Sequence, residues 1–95
     1  MRLKDLHETF GDDLKDPVFA AGYLEAALDE GMGAFLIALR DVVQAREGMG
    51  AVAEQAGLGR ESLYKALSEN GNPQFSTIQS VLKSAGFHLS IEPNV

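Results

Sequence analysis

The chain has 95 residues and a formal net charge of -6, with 45% hydrophobic residues and no cysteine. This length suits one domain with a modest core, and the composition is that of a globular protein. The lack of cysteine excludes disulfides, thiolate–zinc sites and cysteine nucleophiles. The N-terminus lacks the apolar stretch of a secretory signal, and no apolar run reaches the roughly 20 residues that span a bilayer. We therefore expect a cytoplasmic protein.

The negative charge is concentrated in the first third of the chain. Residues 1–31 contain three basic and eight acidic residues, whereas residues 32–67 contain four of each. The remaining residues contain one lysine and two glutamates. The excess acid therefore lies outside the middle of the chain.

Two amphipathic helices are predicted first. Asp16 can cap the free amides of a helix that begins at Pro17, since proline fits the first turn, and Gly31 can end it. Apolar residues recur at helical spacing in this segment. A second helix begins at Met32 and ends before Gly48, with Phe35, Leu36, Leu39, Val42 and Val43 on one stripe.

Three shorter helices follow. The first covers residues 49–56, and a turn at residues 57–59 separates it from the second, which runs from Arg60 to about Leu67. Residues 68–74, SENGNPQ, are predicted to be a loop because they contain Asn-Gly and Asn-Pro. Ser76 is expected to cap the last helix, and Gly86 to end it.

The C-terminal tail changes period. Phe87, Leu89 and Ile91 alternate with His88 and Ser90, which is the pattern of a half-buried strand. A single strand has no partner within an otherwise helical chain, so we expect it to pair with a second copy in a homodimer. The alternative is a coil tail packed on the last helix. The sequence thus predicts an all-α fold of five helices with a short C-terminal β-strand, paired across a dimer.

The two short helices have the features of a helix–turn–helix. Ala53 and Ala56 are small enough for close contact between the helices, and Gly57 can adopt the positive φ that closes the turn. Apolar residues at the spacing needed to anchor both helices are Val52, Leu58, Leu63 and Ala66.

The second short helix carries the candidate DNA-binding residues, which are its exposed positions Gly59, Arg60, Glu61, Tyr64, Lys65 and Ser68. In a major groove, Arg60 can bond guanine, and Glu61 can accept from cytosine or orient Arg60. Tyr64, Lys65 and Ser68 can bond phosphates. The alternative is an ordinary solvated helix start, with Tyr64 and Lys65 covering the core.

The segment GMGAVAEQAGLGRESLYKALSENGNPQFSTIQSVLKSAG resembles the probable addiction-module antidote family, a branch of the Xre-type helix–turn–helix proteins. Its most telling parts are GLGRESLYKAL, GNPQF and VLKSAGFHLSI. The upstream stretches YLEAALDEG and FLIALRDVVQAREGM also look similar, so the likeness covers roughly Asp16 to Ile91.

The resemblance implies a lambda-repressor-like dimer that binds operator DNA, represses its own operon and neutralises a basic RelE-like toxin. An acidic surface suits a basic partner, so the candidate toxin-binding residues are Asp12, Asp13, Asp16, Glu25, Asp29 and Glu30. We accordingly assign residues 1–31 to an acidic segment with a first helix that contacts the toxin, and residues 32–95 to the DNA-binding core. Solvated charges that keep the protein soluble are the alternative. The alternative functions are a stand-alone Xre-type repressor without a toxin and a protein-binding module whose helix–turn–helix no longer contacts DNA.

The sequence gives no indication of catalysis, a cofactor or a metal site. GMGAVA at residues 48–53 fits a G-x-G-x-x-A pattern, but it follows a predicted helix instead of a strand. Ser62 lacks the flanking glycines of a nucleophile elbow. His7 and His88 are far apart and have no metal-ligand spacing. We therefore expect a binding protein and not an enzyme.

Overall fold

The computed structural model describes residues 12–94, so His7 and the first eleven residues of the acidic segment lie outside the described part. A short 3₁₀ turn at Asp13–Lys15 precedes five α-helices. Their bounds are α1 Pro17–Glu30, α2 Met32–Ala45, α3 Met49–Ala56, α4 Arg60–Ala66 and α5 Phe75–Ser84. The all-α prediction and the order of the five helices are confirmed.

The ends of α1 follow the predicted signals. The Val18 N–H donates to the Asp16 Oδ1 at 3.0 Å, so Asp16 caps the helix that Pro17 opens. Gly31, at φ 126°, ends α1 and is also the residue from which α2 starts. Because a single residue joins them, α1 and α2 pack closely against each other.

One apolar core extends through all five helices. α3 packs on α2, α4 and α5, and the 3₁₀ turn contributes Leu14 beneath α1 and α2. The largest fully buried side chains are Leu14, Leu36, Leu39, Leu63, Leu67, Val42, Val43, Val52 and Val81. The core therefore fixes α4 relative to α2 and α3.

A polar pair lies inside this core. The Tyr23 hydroxyl of α1 donates to the Asp41 Oδ2 of α2 at 3.0 Å. Asp41 is only 6% exposed. Buried polar groups need hydrogen-bonding partners, and this bond satisfies two such groups while it ties α1 to α2.

The turn between α3 and α4 is closed by Gly57. This residue has φ 73° and ψ 28°, the left-handed conformation that glycine adopts without a Cβ penalty. The Gly57 N–H donates to the Glu54 carbonyl at 3.2 Å, and the Leu58 N–H donates to the Ala53 carbonyl at 2.8 Å. This pattern satisfies the last carbonyls of α3, as expected for a Schellman-type end. The positive φ predicted for Gly57 is confirmed.

The prediction that Ser76 caps the last helix is wrong. α5 begins at Phe75, and its N-cap is Gln74, which makes no side-chain cap bond. The Gln74 carbonyl instead accepts from the N–H groups of Thr77 at 3.0 Å and Ile78 at 3.2 Å. Ser76 is therefore inside the first turn.

The predicted strand is not formed in the single chain. Residues 87–94 have no regular secondary structure, and residues 12–94 contain no β-strand. A strand needs a neighbour for its N–H and C=O groups, and no second strand lies within this part of the chain. Phe87 is half-buried against the core, whereas Leu89 and Ile91 are exposed. A coil tail next to the last helix, the alternative interpretation, describes the observed structure.

Arg46, at the end of α2, connects three separate parts of the chain. Its Nη1 donates to the Lys15 carbonyl at 2.7 Å, and its guanidinium carbon lies 5.2 Å from the centre of the Phe87 ring. Its buried Nε makes no hydrogen bond, since the Glu47 carboxylate at 3.9 Å is too distant. This side chain therefore holds both the turn before α1 and the C-terminal tail.

Gly71 lies against the end of α4 with no space for a side chain. A Cβ there would overlap the Ala66 carbonyl oxygen and come within 2.9 Å of the Lys65 carbonyl oxygen. Because these atoms belong to the backbone, Gly71→Ala is expected to lower the free energy of unfolding by about 1–3 kcal/mol. Urea denaturation measures this change.

Gly22 provides the matched control for that substitution. It lies within α1, and a Cβ there would meet nothing within 4 Å. Gly22→Ala is therefore expected to raise the free energy of unfolding by about 0.5–1 kcal/mol, because alanine favours a helix over glycine. Equal effects of the two substitutions would contradict the close packing at Gly71.

Candidate nucleic-acid interface

The predicted DNA-binding residues lie on the outer face of α4 and on the residues that flank this helix. Gly59, Arg60, Glu61 and Lys65 are exposed, and Tyr64 and Ser68 are half-buried. The inner face is fixed by Leu63, and Leu67 follows it; both are fully buried. Ser62 is also exposed, although it was not among the predicted residues. The core thus holds α4 with its polar side outward.

Arg60 and Tyr64 contact each other on this face. They are four residues apart, which places them on one side of a helix, and the Arg60 guanidinium carbon lies 5.9 Å from the Tyr64 ring centre. The pKa of the Tyr64 hydroxyl is lowered, first because Arg60 lies within hydrogen-bonding reach and second because Gln44 does. The contact with the Tyr64 ring limits the positions of the Arg60 side chain.

Arg40 and Gln44 of α2 extend this face, and the sequence reasoning did not include them. Gln44 and the positive charge of Arg40 both favour the ionised form of Tyr64, so both residues are near its hydroxyl. Their four-residue spacing places them on one side of α2. The sequence alone predicts no partner for that side. That spacing was the available signal, but only the fold, which brings this side of α2 near Tyr64, reveals its relevance.

Ser68 is already engaged at the end of α4. Its Oγ donates to the Lys65 carbonyl at 2.8 Å. A hydroxyl has one proton, so Ser68 cannot donate to a phosphate while this bond is present. The phosphate contact predicted for Ser68 therefore requires a different side-chain rotamer.

The predicted toxin-binding carboxylates are all exposed, but they form two separate groups. Asp12, Asp13 and Asp16 precede α1, whereas Glu25, Asp29 and Glu30 lie in its C-terminal half. A helix rises 1.5 Å per residue, so the ends of α1 are roughly 20 Å apart. Asp16 also caps α1 through the Val18 N–H. One partner surface must be extended to contact both groups.

Residues 12–94 contain no cluster of three or more His, Cys, Asp or Glu side chains placed to hold a metal ion. His88 is exposed on the tail. Within the same residues, no helix combines the length and apolar character that crossing a bilayer requires.

The described residues form a small all-helical protein with two short helices and a polar outer face on α4. Residues 7–93 match the family model described as "Probable addiction module antidote protein", and the chain belongs to this family. The chain is similar to a Haemophilus influenzae protein named only as uncharacterized, with 41% identity over 71 residues, or 74% of this chain and 72% of that protein. No solved structure matches the chain. Membership in an antidote family implies a toxin partner of some kind.

Proposed function

We propose that this protein is the antitoxin of a type II toxin–antitoxin module. It neutralises a basic RelE-like toxin in the cytoplasm and binds operator DNA through α3 and α4, as an Xre-type repressor of its own operon. The observation that carries the DNA-binding part is the outer face of α4, where Arg60 and Lys65 are exposed over a fully buried Leu63. The proposal contains no catalytic step and no cofactor.

Three features support operator binding. The Gly57 turn brings α3 and α4 into close contact, which is the arrangement that places a second helix in a major groove. Arg60 opens α4, and residues near the N-terminus of a recognition helix contact base edges. Residues 32–67 are electrically neutral, so the excess negative charge belongs to other parts of the chain.

The dimer part of the proposal rests on the C-terminal tail. Ile91 is 98% exposed and Leu89 is also exposed, which is unusual for neighbouring large apolar side chains. Pairing of residues 87–91 between two copies satisfies backbone groups that have no partner strand in one copy. Phe87 contributes less than predicted, because its ring packs under Arg46.

The alternative is a stand-alone Xre-type repressor without a toxin. Its DNA-binding face is the same, so DNA binding does not separate the two functions. The neighbouring gene does separate them, because an antitoxin is encoded beside a small basic protein whose toxicity it suppresses. Growth rescue on co-expression supports the antitoxin role, and continued arrest favours the stand-alone repressor.

Arg60→Ala tests base reading by α4. Losing a bidentate contact to guanine is expected to weaken binding to promoter DNA by about 1–3 kcal/mol and to relax specificity at one operator position. Fluorescence anisotropy with promoter DNA and single-base variants measures both effects. Equal affinity of wild type and Arg60→Ala for every variant contradicts the role of Arg60.

Two further lysine variants give the comparison. Lys65→Ala is expected to weaken binding to all sequences equally and to reduce the salt slope by about one, because it removes a phosphate contact. Lys83→Ala removes an exposed lysine from α5, outside the proposed face, and is expected to leave both quantities unchanged.

A further inference from the structure

A groove of about 300 Å³ lies between α1 and the C-terminal tail. Its floor consists of the buried side chains Leu24, Phe35 and Leu82. Leu28 of α1, 47% exposed, and Leu89 of the tail, 38% exposed, form its apolar edges. A volume at the lower end of ligand pockets suits one apolar side chain of a partner better than a whole helix.

The tail wall of the groove is fixed to the core. The Phe87 N–H donates to the Leu82 carbonyl at 2.8 Å, and Arg46 lies over the Phe87 ring. His88, Ser90 and Glu92 then continue along the groove. The groove therefore has two walls that the fold itself places, which is the condition for a preformed binding site.

The groove is acidic as well as apolar. Glu25 and Glu92 line it, one on each wall, and no lysine or arginine does so among residues 12–94. Asp29 follows Glu25 by one turn of α1 and is exposed. An apolar floor between two carboxylates suits an apolar side chain of a partner that has a lysine or arginine next to it.

The proposed dimer would pair through the backbone of the tail, and a second copy is a poor occupant of the groove itself. A two-fold interface formed by this groove would bring together Glu25 and Glu92 of both copies, and no lysine or arginine of the groove could pair with them. Like charges across an interface cost several kcal/mol. The charge therefore favours a different, basic protein.

We infer that this groove is the docking site for the toxin: it receives an apolar side chain of the toxin next to a lysine or arginine that pairs with Glu25. The inference rests on the proposed antitoxin function and locates the toxin contact at the middle of α1 and the tail. It assigns no direct role to Asp12, Asp13 and Asp16, which precede the helix.

Leu28→Lys tests the groove, with Val18→Lys as the matched control. Both residues are exposed and belong to α1, but Val18, 80% exposed, does not line the groove. The probe is the purified basic protein encoded beside the gene, and calorimetry measures its binding. Leu28→Lys is expected to raise the Kd at least tenfold, whereas Val18→Lys leaves it within twofold.

A second pair tests the charge. Glu25→Lys is expected to raise the Kd at least tenfold, and Glu69→Lys, at an exposed glutamate after α4 and outside the groove, is expected to have a much smaller effect. Because Glu25 is exposed, this pair remains informative if Leu28→Lys fails to fold. Thermal unfolding is expected to be unchanged in both glutamate variants, and promoter DNA binding is expected to be unchanged in Glu25→Lys.

The outcomes separate the inference from the function on which it rests. Normal toxin binding by Glu25→Lys, and by a folded Leu28→Lys, overturns the groove as the docking site. Loss of self-association in Leu28→Lys with toxin binding intact identifies a second copy as the occupant, which also overturns it. Failure of the wild-type chain to bind the neighbouring product overturns the proposed function and this inference together.

Discussion

Replacing Arg46 with alanine is expected to lower the free energy of unfolding by about 2–4 kcal/mol. The substitution removes a charge-assisted hydrogen bond to the Lys15 carbonyl, worth about 1.5–3 kcal/mol, and the stacking on Phe87, worth about 0.5–2 kcal/mol. Its aliphatic stem also covers apolar surface, since the side chain is only 16% exposed. Urea denaturation followed by circular dichroism measures the loss.

Arg40→Ala is the control for Arg46→Ala. Arg46 directly follows the last residue of α2, whereas Arg40 lies within α2 and near the Tyr64 hydroxyl, and replacing Arg40 is expected to change stability by less than about 0.5 kcal/mol. Arg46→Lys keeps the charge but lacks the planar guanidinium, so it is expected to be intermediate. Equal stability of the Arg46→Ala and Arg40→Ala variants contradicts the connecting role of Arg46.

Tyr23→Phe is expected to lower the free energy of unfolding by about 1.5–3 kcal/mol at pH 7. The substitution leaves the ring in place but removes the hydroxyl that donates to the buried Asp41 carboxylate. Hydrogen bonds to charged groups contribute about that much. Urea denaturation at pH 7 measures the change.

Tyr23 also makes the free energy of unfolding depend on pH in the alkaline range. The pKa of Tyr23 is raised above its ordinary value of 10.0, first by burial and then by the negative charge of Asp41 and the hydrogen bond to it. A raised folded-state pKa contributes stability that is present below pH 10 and is lost as pH rises towards that pKa. The free energy of unfolding of Tyr23→Phe is therefore expected to fall less steeply with rising pH than that of the wild type. Urea denaturation between pH 9 and 11 measures the difference.

Tyr64→Phe controls for the loss of a tyrosine hydroxyl. Tyr64 is the other tyrosine of the chain and lies on α4, and its replacement is expected to leave stability at pH 7 nearly unchanged. Its pKa is lowered, so its contribution has the opposite sign: it is present above pH 10 and lost as pH falls through the folded-state pKa. Similar pH profiles for the two variants contradict the assignment of Tyr23 as the buried tyrosine that titrates late.

The helices were predictable because their signals are local. Asp16 and Pro17 start α1, and Gly57 closes the turn after α3, through backbone geometry that involves only neighbouring residues. Leu63 and Val52 were identified as core by spacing alone, and both are fully buried. Such features depend on the residue types at fixed offsets along the chain.

The features that the sequence did not reveal depend on distant contacts. Tyr23 and Asp41 are 18 residues apart, and Arg46 meets Lys15 across 31 residues. The proximity of Arg40 and Gln44 to Tyr64 likewise follows from packing between helices. The tail alternates in polarity like a strand, but alternation requires a neighbouring strand to become structure, and residues 12–94 provide none.

The shortness of α3 and α4 has a consequence for the lifetime of the protein in a cell. These helices have eight and seven residues, and isolated helices shorter than about 12–15 residues are marginal in water. They persist only while Val52, Leu63 and Leu67 are packed in the common core. Under the proposed function, proteolysis that opens this core ends repression and toxin neutralisation in the same event. The degree of repression therefore depends on the fraction of molecules that are folded.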